Sequence, residues 1–404
     1  MGKNILLLTT IYPAPDLNLL NNTNVCHYFA KEWVKMGYNV KVVFNYPIYS
    51  PIFHLMANLM ENKLASNGSA YITTKRIIKD FEYEMDGVKI VRFPLYKFMP
   101  KIAVEKSVVN KQIEKIISSN KKDSFTPDII IAHFFYPHLE MVYRLAKEYS
   151  AKSCITVHEQ SINLNRIYGD KLQILLDSIN IWGYRSLPLK RNFENKYIIK
   201  SPSFQCYSGI PESYLIKDIK KKVTAPIKRF VYVGSFIKRK NPHKVADALC
   251  NLPYNDWHID YVGVGDLVNA TKRIFQKHKK VNNVTFWGHI DRNRVQEILT
   301  NAECFIMISA KETFGLVYLE AMAKGLITIA SKNEGMDGVI INGTNGFLCN
   351  AGDPFALKNI IDKINNMTND ELTDISRNAI KTAMSLTDKK VAATYIHAVE
   401  NVDS

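Results

Sequence analysis

At 404 residues and 47% hydrophobic content, the chain is long enough for two soluble globular domains, each able to bury its own core. Its six cysteines include no CxxC spacing, which excludes a zinc or redox motif and fits a reducing compartment, and no run reaches the ~18 uncharged apolar residues of a membrane-spanning helix. Lysine and arginine number 53 against 38 acidic residues, and residues 1–200 hold 27 basic against 17 acidic ones; unless the composition simply leans to Lys and Asn, the excess points to an anionic partner, whether membrane surface, nucleic acid or phosphorylated substrate.

The amino terminus, MGKNILLLTTIYP, reads as a strand over Ile5–Thr9, because the apolar run Ile5–Leu8 is too short for a signal-peptide core. A cytoplasmic location is therefore expected. Helical spacing follows over Asn24–Met36, then strands over Val40–Asn45, Val88–Phe93 and Ile129–His133, a helix over Leu139–Tyr149 and a strand over Ser153–His158. Strands without polar alternation, separated by amphipathic stretches, predict a parallel sheet covered on both faces. The pattern weakens over 195–225, a stretch rich in Lys, Pro, Ser and Tyr, and restarts at Arg229–Gly234.

From there the alternation is regular: helix 241–251, strand 257–262, helix 268–279, strand 284–287, helix 292–300, strand 304–308, helix 315–324, strands 327–331 and 346–349, and helix 354–366. The expected fold is α/β: two Rossmann-like, doubly wound parallel-sheet domains facing across a cleft, with ligands outside the carboxyl ends of the strands. The expected boundaries are an N-terminal domain over 1–205, a C-terminal domain over 206–386, and a last helix, 387–404, that packs back on the first domain.

The segment richest in chemistry is Ser309–Gly325, SAKETFGLVYLEAMAKG. A strand ends, a loop carries Glu312, a helix begins near Gly315, and Glu320 lies about one and a half turns in. A helix start preceded by glycine offers unpaired N–H groups and a positive dipole end to a diphosphate, and lets its oxygens approach the backbone. Two glutamates eight apart are a weak signal alone. Glu320, however, sits among Leu316, Val317, Leu319, Ala321 and Met322, where an unpaired carboxylate would be costly.

With Phe314-Gly315 between the two glutamates and Ala321-Met322-Ala323 after them, this segment resembles the signature of glycosyltransferase family 4, retaining enzymes of the GT-B fold. Val231-Tyr232-Val233-Gly234 with Lys240, the turn Tyr261–Leu267, Val284–Gly288 and Asn345–Leu348 resemble the family's further pieces in the same order. The resemblance covers nearly the whole chain and is sharpest over 229–357. It implies that Glu312 contacts the donor sugar, Glu320 the ribose, and Lys240 and the backbone of Phe314, Gly315 and Leu316 the diphosphate. Asn24, Gly234, Ser235, Arg239, Gly265, Gly288, His289 and Thr313 complete the implied donor set. The family usually carries an arginine where this chain has Ser235, so Arg239 or Lys238 would supply the missing charge.

In the first domain, His133 and His158 end successive strands, where a parallel sheet points residues toward its ligand. Thr156-Val157-His158-Glu159 resembles the family's Thr-x-His-Gly motif, whose histidine lies near the reacting carbons; Glu159 here replaces the glycine. His133, Glu159 and Asn163 are the expected acceptor contacts, and His158, Glu312 and Lys240 the expected catalytic groups. In place of the family's glycines, the first loop has Asn21-Asn22-Thr23-Asn24, whose asparagines tolerate left-handed backbone and can cap a helix. Ser208-Gly209-Ile210-Pro211 resembles the family's Pro-Asn-Gly turn.

The resemblance implies transfer of a sugar, with retention, from a nucleotide-diphosphate donor (UDP by default) to a saccharide or lipid-linked saccharide in cell-surface polysaccharide synthesis. No cofactor and no metal is expected. The rival readings are a nucleotide-sugar epimerase on the same fold, and a non-catalytic binding protein, which would be expected to lose its signature glutamates. Nucleic acid is not an expected partner, since no aromatic platform interleaves the basic residues. An anionic membrane surface is, through either of two apolar stripes. One is Ile52, Leu55, Met56, Leu59, Met60 and Leu64; the other is Val104, Val108, Val109, Ile113, Ile116 and Ile117, inside the lysine-rich stretch 97–122. Each could equally cover the sheet.

Overall fold

The uninterrupted apolar runs form the central strands of two separate sheets. The computed structural model describes residues 2–17, 23–59, 73–100, 102–158, 163–216 and 223–402. The chain divides into two units: Met1–Arg185 with Leu189–Cys206 and Asp388–Ser404, and Ser186–Pro188 with Tyr207–Thr387.

Among the described residues, the first unit holds eight strands: β1 (Asn4–Thr9), β2 (Asn39–Ile48), β3 (Phe81–Met85), β4 (Val88–Tyr96), β5 (Ile129–His133), β6 (Lys152–Val157), β7 (Ile181–Tyr184) and β8 (Ser203–Gln205). Their order is β3-β4-β2-β1-β5-β6-β7-β8, parallel apart from β3 on β4. Helices on both faces explain why β1 and β5 are apolar at nearly every position. The helix Lys106–Lys122 buries Val109, Ile113 and Ile116 in this core, so the second apolar stripe packs in the protein interior. The helix Asp388–Glu400 belongs to the same unit. Trp33 Nε1 donates to the carbonyl of Ala392 (3.0 Å), and Lys152 Nζ to that of Glu400 (2.6 Å). The Tyr395 ring packs on Phe29, Trp33 and Phe204.

The second unit holds β9 (Arg229–Val233), β10 (His258–Val262), β11 (Val284–Gly288), β12 (Cys304–Ile306), β13 (Ile327–Ser331) and β14 (Phe347–Cys349), all parallel, in the order β11-β10-β9-β12-β13-β14. The winding reverses between β9 and β12, so the loops after these two strands form this sheet's crevice.

Local structure departs from the sequence reading in identifiable places. β12 stops at Ile306, two residues early, because the Ile308 carbonyl accepts from Asn241 Nδ2 (2.8 Å) and Gly352 N (3.1 Å). The β3–β4 hairpin turns on Asp86-Gly87, both at positive φ (52° and 76°), the pairing that two-residue hairpin turns favour. The helix Asn369–Ser385 starts in a capping box formed by Thr368 and Glu371.

Candidate active site

The second unit brings together, within itself, the two loops flanking its switch point. After β9 the chain passes Gly234 and the exposed Ser235, turns through Lys238–Lys240 and enters the helix Pro242–Cys250. After β12 it runs through 307–315 into the helix Leu316–Ala323. The backbones are tied directly, Ala310 N donating to the Arg239 carbonyl at 2.7 Å. Gly315 caps this helix at φ 88°, and a Cβ there would lie 2.6 Å from the Tyr318 ring. Both conditions require glycine at the point where the first-turn amides emerge.

Glu312 lies at the centre of this arrangement. Its carboxylate accepts from Lys240 Nζ and from Ser309 Oγ (3.3 Å), with Arg239 Nη1 at 3.8 Å. Burial pushes its pKa up, but the Lys240 charge and hydrogen bond, then Arg239 and Ser309, outweigh this and hold it below the ordinary glutamate value. The pair is nearly enclosed, each side chain 12% exposed. Below it, Glu334 Oε2 accepts from Glu312 N at 2.8 Å. Burial raises the Glu334 pKa; backbone donors from Lys311 and Glu312 lower it, and the Glu312 charge raises it. Gly335 passes so close that a Cβ would fall 2.5 Å from Phe314 N. Phe314 is buried and stacks on Tyr207, and Thr313 and Leu316 are half-buried.

Glu320, expected at the ribose, is buried and held at both oxygens by the preceding helix. Arg292 Nη2 donates at 2.8 Å and Gln296 Nε2 at 2.9 Å, while the Arg292 guanidinium lies 5.4 Å from the Tyr214 ring centroid. Two oxygens offer about four acceptor positions, so capacity for ribose hydroxyls remains. Gly265 lies in the turn after β10, Gly288 ends β11, and His289 is exposed just beyond. Sequence reasoning missed Glu334, Arg292 and Gln296. The signal for the last two was a buried acid needing partners, but nothing local named them.

In the first unit, His133 and His158 are brought together: His133 Nδ1 and His158 Nε2 are 2.8 Å apart. His133 is fully buried, and its Nε2 lies 3.4 Å from the Tyr395 hydroxyl, which also bonds Thr156 Oγ1 at 2.5 Å. Both ring nitrogens of His133 are thus engaged inside the unit. Burial first, then neighbouring charge, holds both imidazoles well below pKa 6.5, so both are neutral. The Phe134 ring stacks on His158 at 4.1 Å. Asn24 and Asn163 are exposed at the starts of the helices Val25–Lys35 and Leu164–Tyr168, without side-chain caps. Glu159, Asn21 and Asn22 lie outside the described residues.

Comparison with known proteins bears on the whole arrangement. Residues 216–382 match the family model of the glycosyl transferases group 1. Solved structures align along almost all of the chain. Sucrose-phosphate synthase from Thermosynechococcus elongatus superimposes with a TM-score of 0.67 at 16% identity, covering 98% of each chain. The Anabaena protein HepE, solved in complex with UDP and glucose, gives 0.64 at 15%, covering 99% of this chain and 100% of its own.

The fold is GT-B.

Among curated relatives, N-acetyl-alpha-D-glucosaminyl L-malate synthase of Bacillus anthracis is 32% identical over 127 residues, which is 31% of this chain and 33% of that protein. The chain thus matches about a third of that relative's length. The family match takes in both loops of the GT-B switch point, with Lys240, Glu312 and Glu320 inside it.

Proposed function

We propose that the protein is a retaining glycosyltransferase that moves a sugar from a UDP-sugar to a saccharide or lipid-linked saccharide in cell-surface polysaccharide synthesis. The observation that carries this reading is the Lys240–Glu312 pair beside the helix start at Gly315, inside the segment that matches the glycosyl transferases group 1 model. It unites a cation, a helix dipole and a carboxylate around one loop, which are the parts that a sugar diphosphate requires. Its relation to a structure solved with UDP and glucose supports uridine as the base.

Lys240 neutralises Glu312. An arriving diphosphate competes for the same ammonium group, and the carboxylate is released to accept sugar hydroxyls. Glu320 binds the ribose, its position already set by Arg292 and Gln296. The acceptor oxygen attacks the anomeric carbon on the face from which the diphosphate leaves, through an oxocarbenium-like state. The carbon–oxygen bond to phosphate breaks as the new glycosidic bond forms, and the departing phosphate oxygen takes the acceptor's proton. Lys240 and the first-turn amides stabilise the charge on that phosphate; losing one such stabiliser typically costs ~10²–10³ in rate. His158, held neutral against His133, offers a hydrogen bond without a charge, while Asn163 and Glu159 are proposed on the acceptor side.

The test is to incubate the protein with a panel of UDP-sugars, with and without saccharide acceptors, and to determine the anomeric configuration of the product by NMR. An α-linked product from an α-linked donor, lost in Glu312→Gln and Lys240→Met, is expected. An inverted product refutes the mechanism, and conversion of the donor to an isomer without acceptor refutes the transferase.

A further inference from the structure

The helix Pro51–Leu59 is oriented against the hydrophobic gradient. Ile52, Leu55, Met56 and Leu59, spaced as one helical stripe, are 73%, 70%, 59% and 85% exposed, while the polar His54 is buried beneath the helix with Ala57. His54 also fixes the orientation. Its Nε2 accepts from Tyr49 N (2.9 Å), so the proton sits on Nδ1, which donates to the Thr74 carbonyl (2.8 Å). Turning the stripe inward would break both bonds.

Two further segments meet this helix at the carboxyl ends of β2 and β4. Residues 73–79 are tied to the end of β2 by Thr73 Oγ1 on the Pro47 carbonyl (2.5 Å) and Tyr46 OH on the Lys75 carbonyl (2.9 Å). They expose Lys75, Arg76, Ile78 and Lys79. Residues 96–100 are joined by Lys97 N to the Ile48 carbonyl (2.7 Å) and expose Tyr96, Phe98 and Met99, with Ile102 exposed just beyond. Across the described residues 51–59, 73–79, 96–100 and 102 there are three lysines, one arginine and no acidic residue.

A soluble protein rarely leaves such a patch uncovered, and aliphatic and aromatic side chains rimmed by cations are what an anionic lipid headgroup region accommodates. We propose that this face of the first unit docks the protein on an anionic bilayer, the stripe of the helix Pro51–Leu59 entering the headgroup boundary and Lys75, Arg76 and Lys79 facing lipid phosphates. The contact is peripheral: among the described residues no helix is long and apolar enough to cross a membrane. The patch lies on the edge of the first sheet where the parallel strands β5 and β6 also end, in His133 and just before His158. A lipid-linked acceptor would therefore be met at this edge, a corollary that rests on the transferase reading; the docking itself does not.

The test is vesicle flotation of the full chain with phosphatidylcholine alone and with a third phosphatidylglycerol, against two variants, Leu55→Gln/Leu59→Gln and Lys75→Gln/Arg76→Gln/Lys79→Gln. All five positions are exposed, so both variants should keep the wild-type melting curve. The wild type is expected to float with the anionic vesicles, weakly with the neutral ones, and less at high salt. At ~1 kcal/mol per basic residue near the surface, the triple variant should lose ~10²-fold in partitioning, and the double variant should lose at least tenfold. Absence of flotation, or flotation unchanged in both variants, overturns the proposal. So does sedimentation showing that the stripe pairs two copies of the chain, with Leu55→Gln/Leu59→Gln restoring a monomer. UDP binding followed on the same samples keeps this result separate from the fate of the transferase reading.

Discussion

Replacing Lys240 with methionine tests whether the Glu312 carboxylate is kept ionised by the cation that it would share with a diphosphate. Removing one partner of a buried pair strands the other and costs ~3–5 kcal/mol. Arg239 at 3.8 Å and Ser309 at 3.3 Å still face Glu312, which places this case at the lower end. At ~2–4 °C per kcal/mol for a unit of this size, the variant should melt ~6–12 °C lower at pH 7. The pH dependence gives the sign. In the wild type the folded pKa of Glu312 lies below its unfolded value of 4.5, so its stabilisation is present above that value and fades as pH falls through the folded one. Without Lys240, burial dominates and the folded pKa rises above the unfolded one. The variant's deficit is then largest at neutral pH and narrows as the medium is acidified. Calorimetry from pH 7 to pH 5 on wild type, Lys240→Met and Lys240→Met/Glu312→Gln measures this directly. The double variant should recover most of the loss, because its amide carries no charge to strand. A single variant as stable as wild type, or a double variant no better than the single, refutes the argument.

Glu320→Ala should weaken UDP binding in calorimetric titration by about tenfold to a hundredfold, the scale of a hydrogen bond to a charged group, and an unchanged affinity would remove Glu320 from the site. Gly335→Ala should lower turnover more than stability, because its Cβ would fall 2.5 Å from Phe314 N and push the 312–315 loop; overpacking of this kind costs ~1–3 kcal/mol, and wild-type turnover would show that the loop position is unimportant. His133 and His158 have folded pKa values below 6.5, and His138 is pushed down to about 4, in each case chiefly by burial. The unfolded chain therefore binds more protons, and denaturant midpoints should fall as pH drops below 6.5, with a shallower slope in His158→Gln; a flat profile would contradict the buried neutral state.

The parts of the molecule that were legible in the sequence share one property: their signals are local. Fully apolar runs such as Leu6–Leu8 and Ile129–Ile131 can only be strands covered on both faces, and they lie at the centre of the first sheet. The Glu312-to-Glu320 segment spans a strand end, a loop and a helix start within one continuous stretch, so its chemistry could be read in place. Asp86-Gly87 and the Thr368–Glu371 capping box are equally local, yet the sequence reading passed over both, and with them β3 and the helix Asn369–Ser385.

What was not legible depends on partners far along the chain. Glu312 takes its backbone acceptor from Glu334 beyond the next strand, and Glu320 takes its cation from Arg292 on the preceding helix. The orientation of the helix Pro51–Leu59 follows from Thr74, outside the helix, which is why its stripe fitted a sheet cover and a membrane contact equally well. The histidines show the same limit most sharply. They end adjacent parallel strands, but the register pairs His133 with Thr156, so the 2.8 Å contact with His158, just beyond β6, could not be read from the strand pattern. What holds the second nitrogen of His133 is a third group, the Tyr395 hydroxyl, whose other partner Thr156 lies 239 residues earlier.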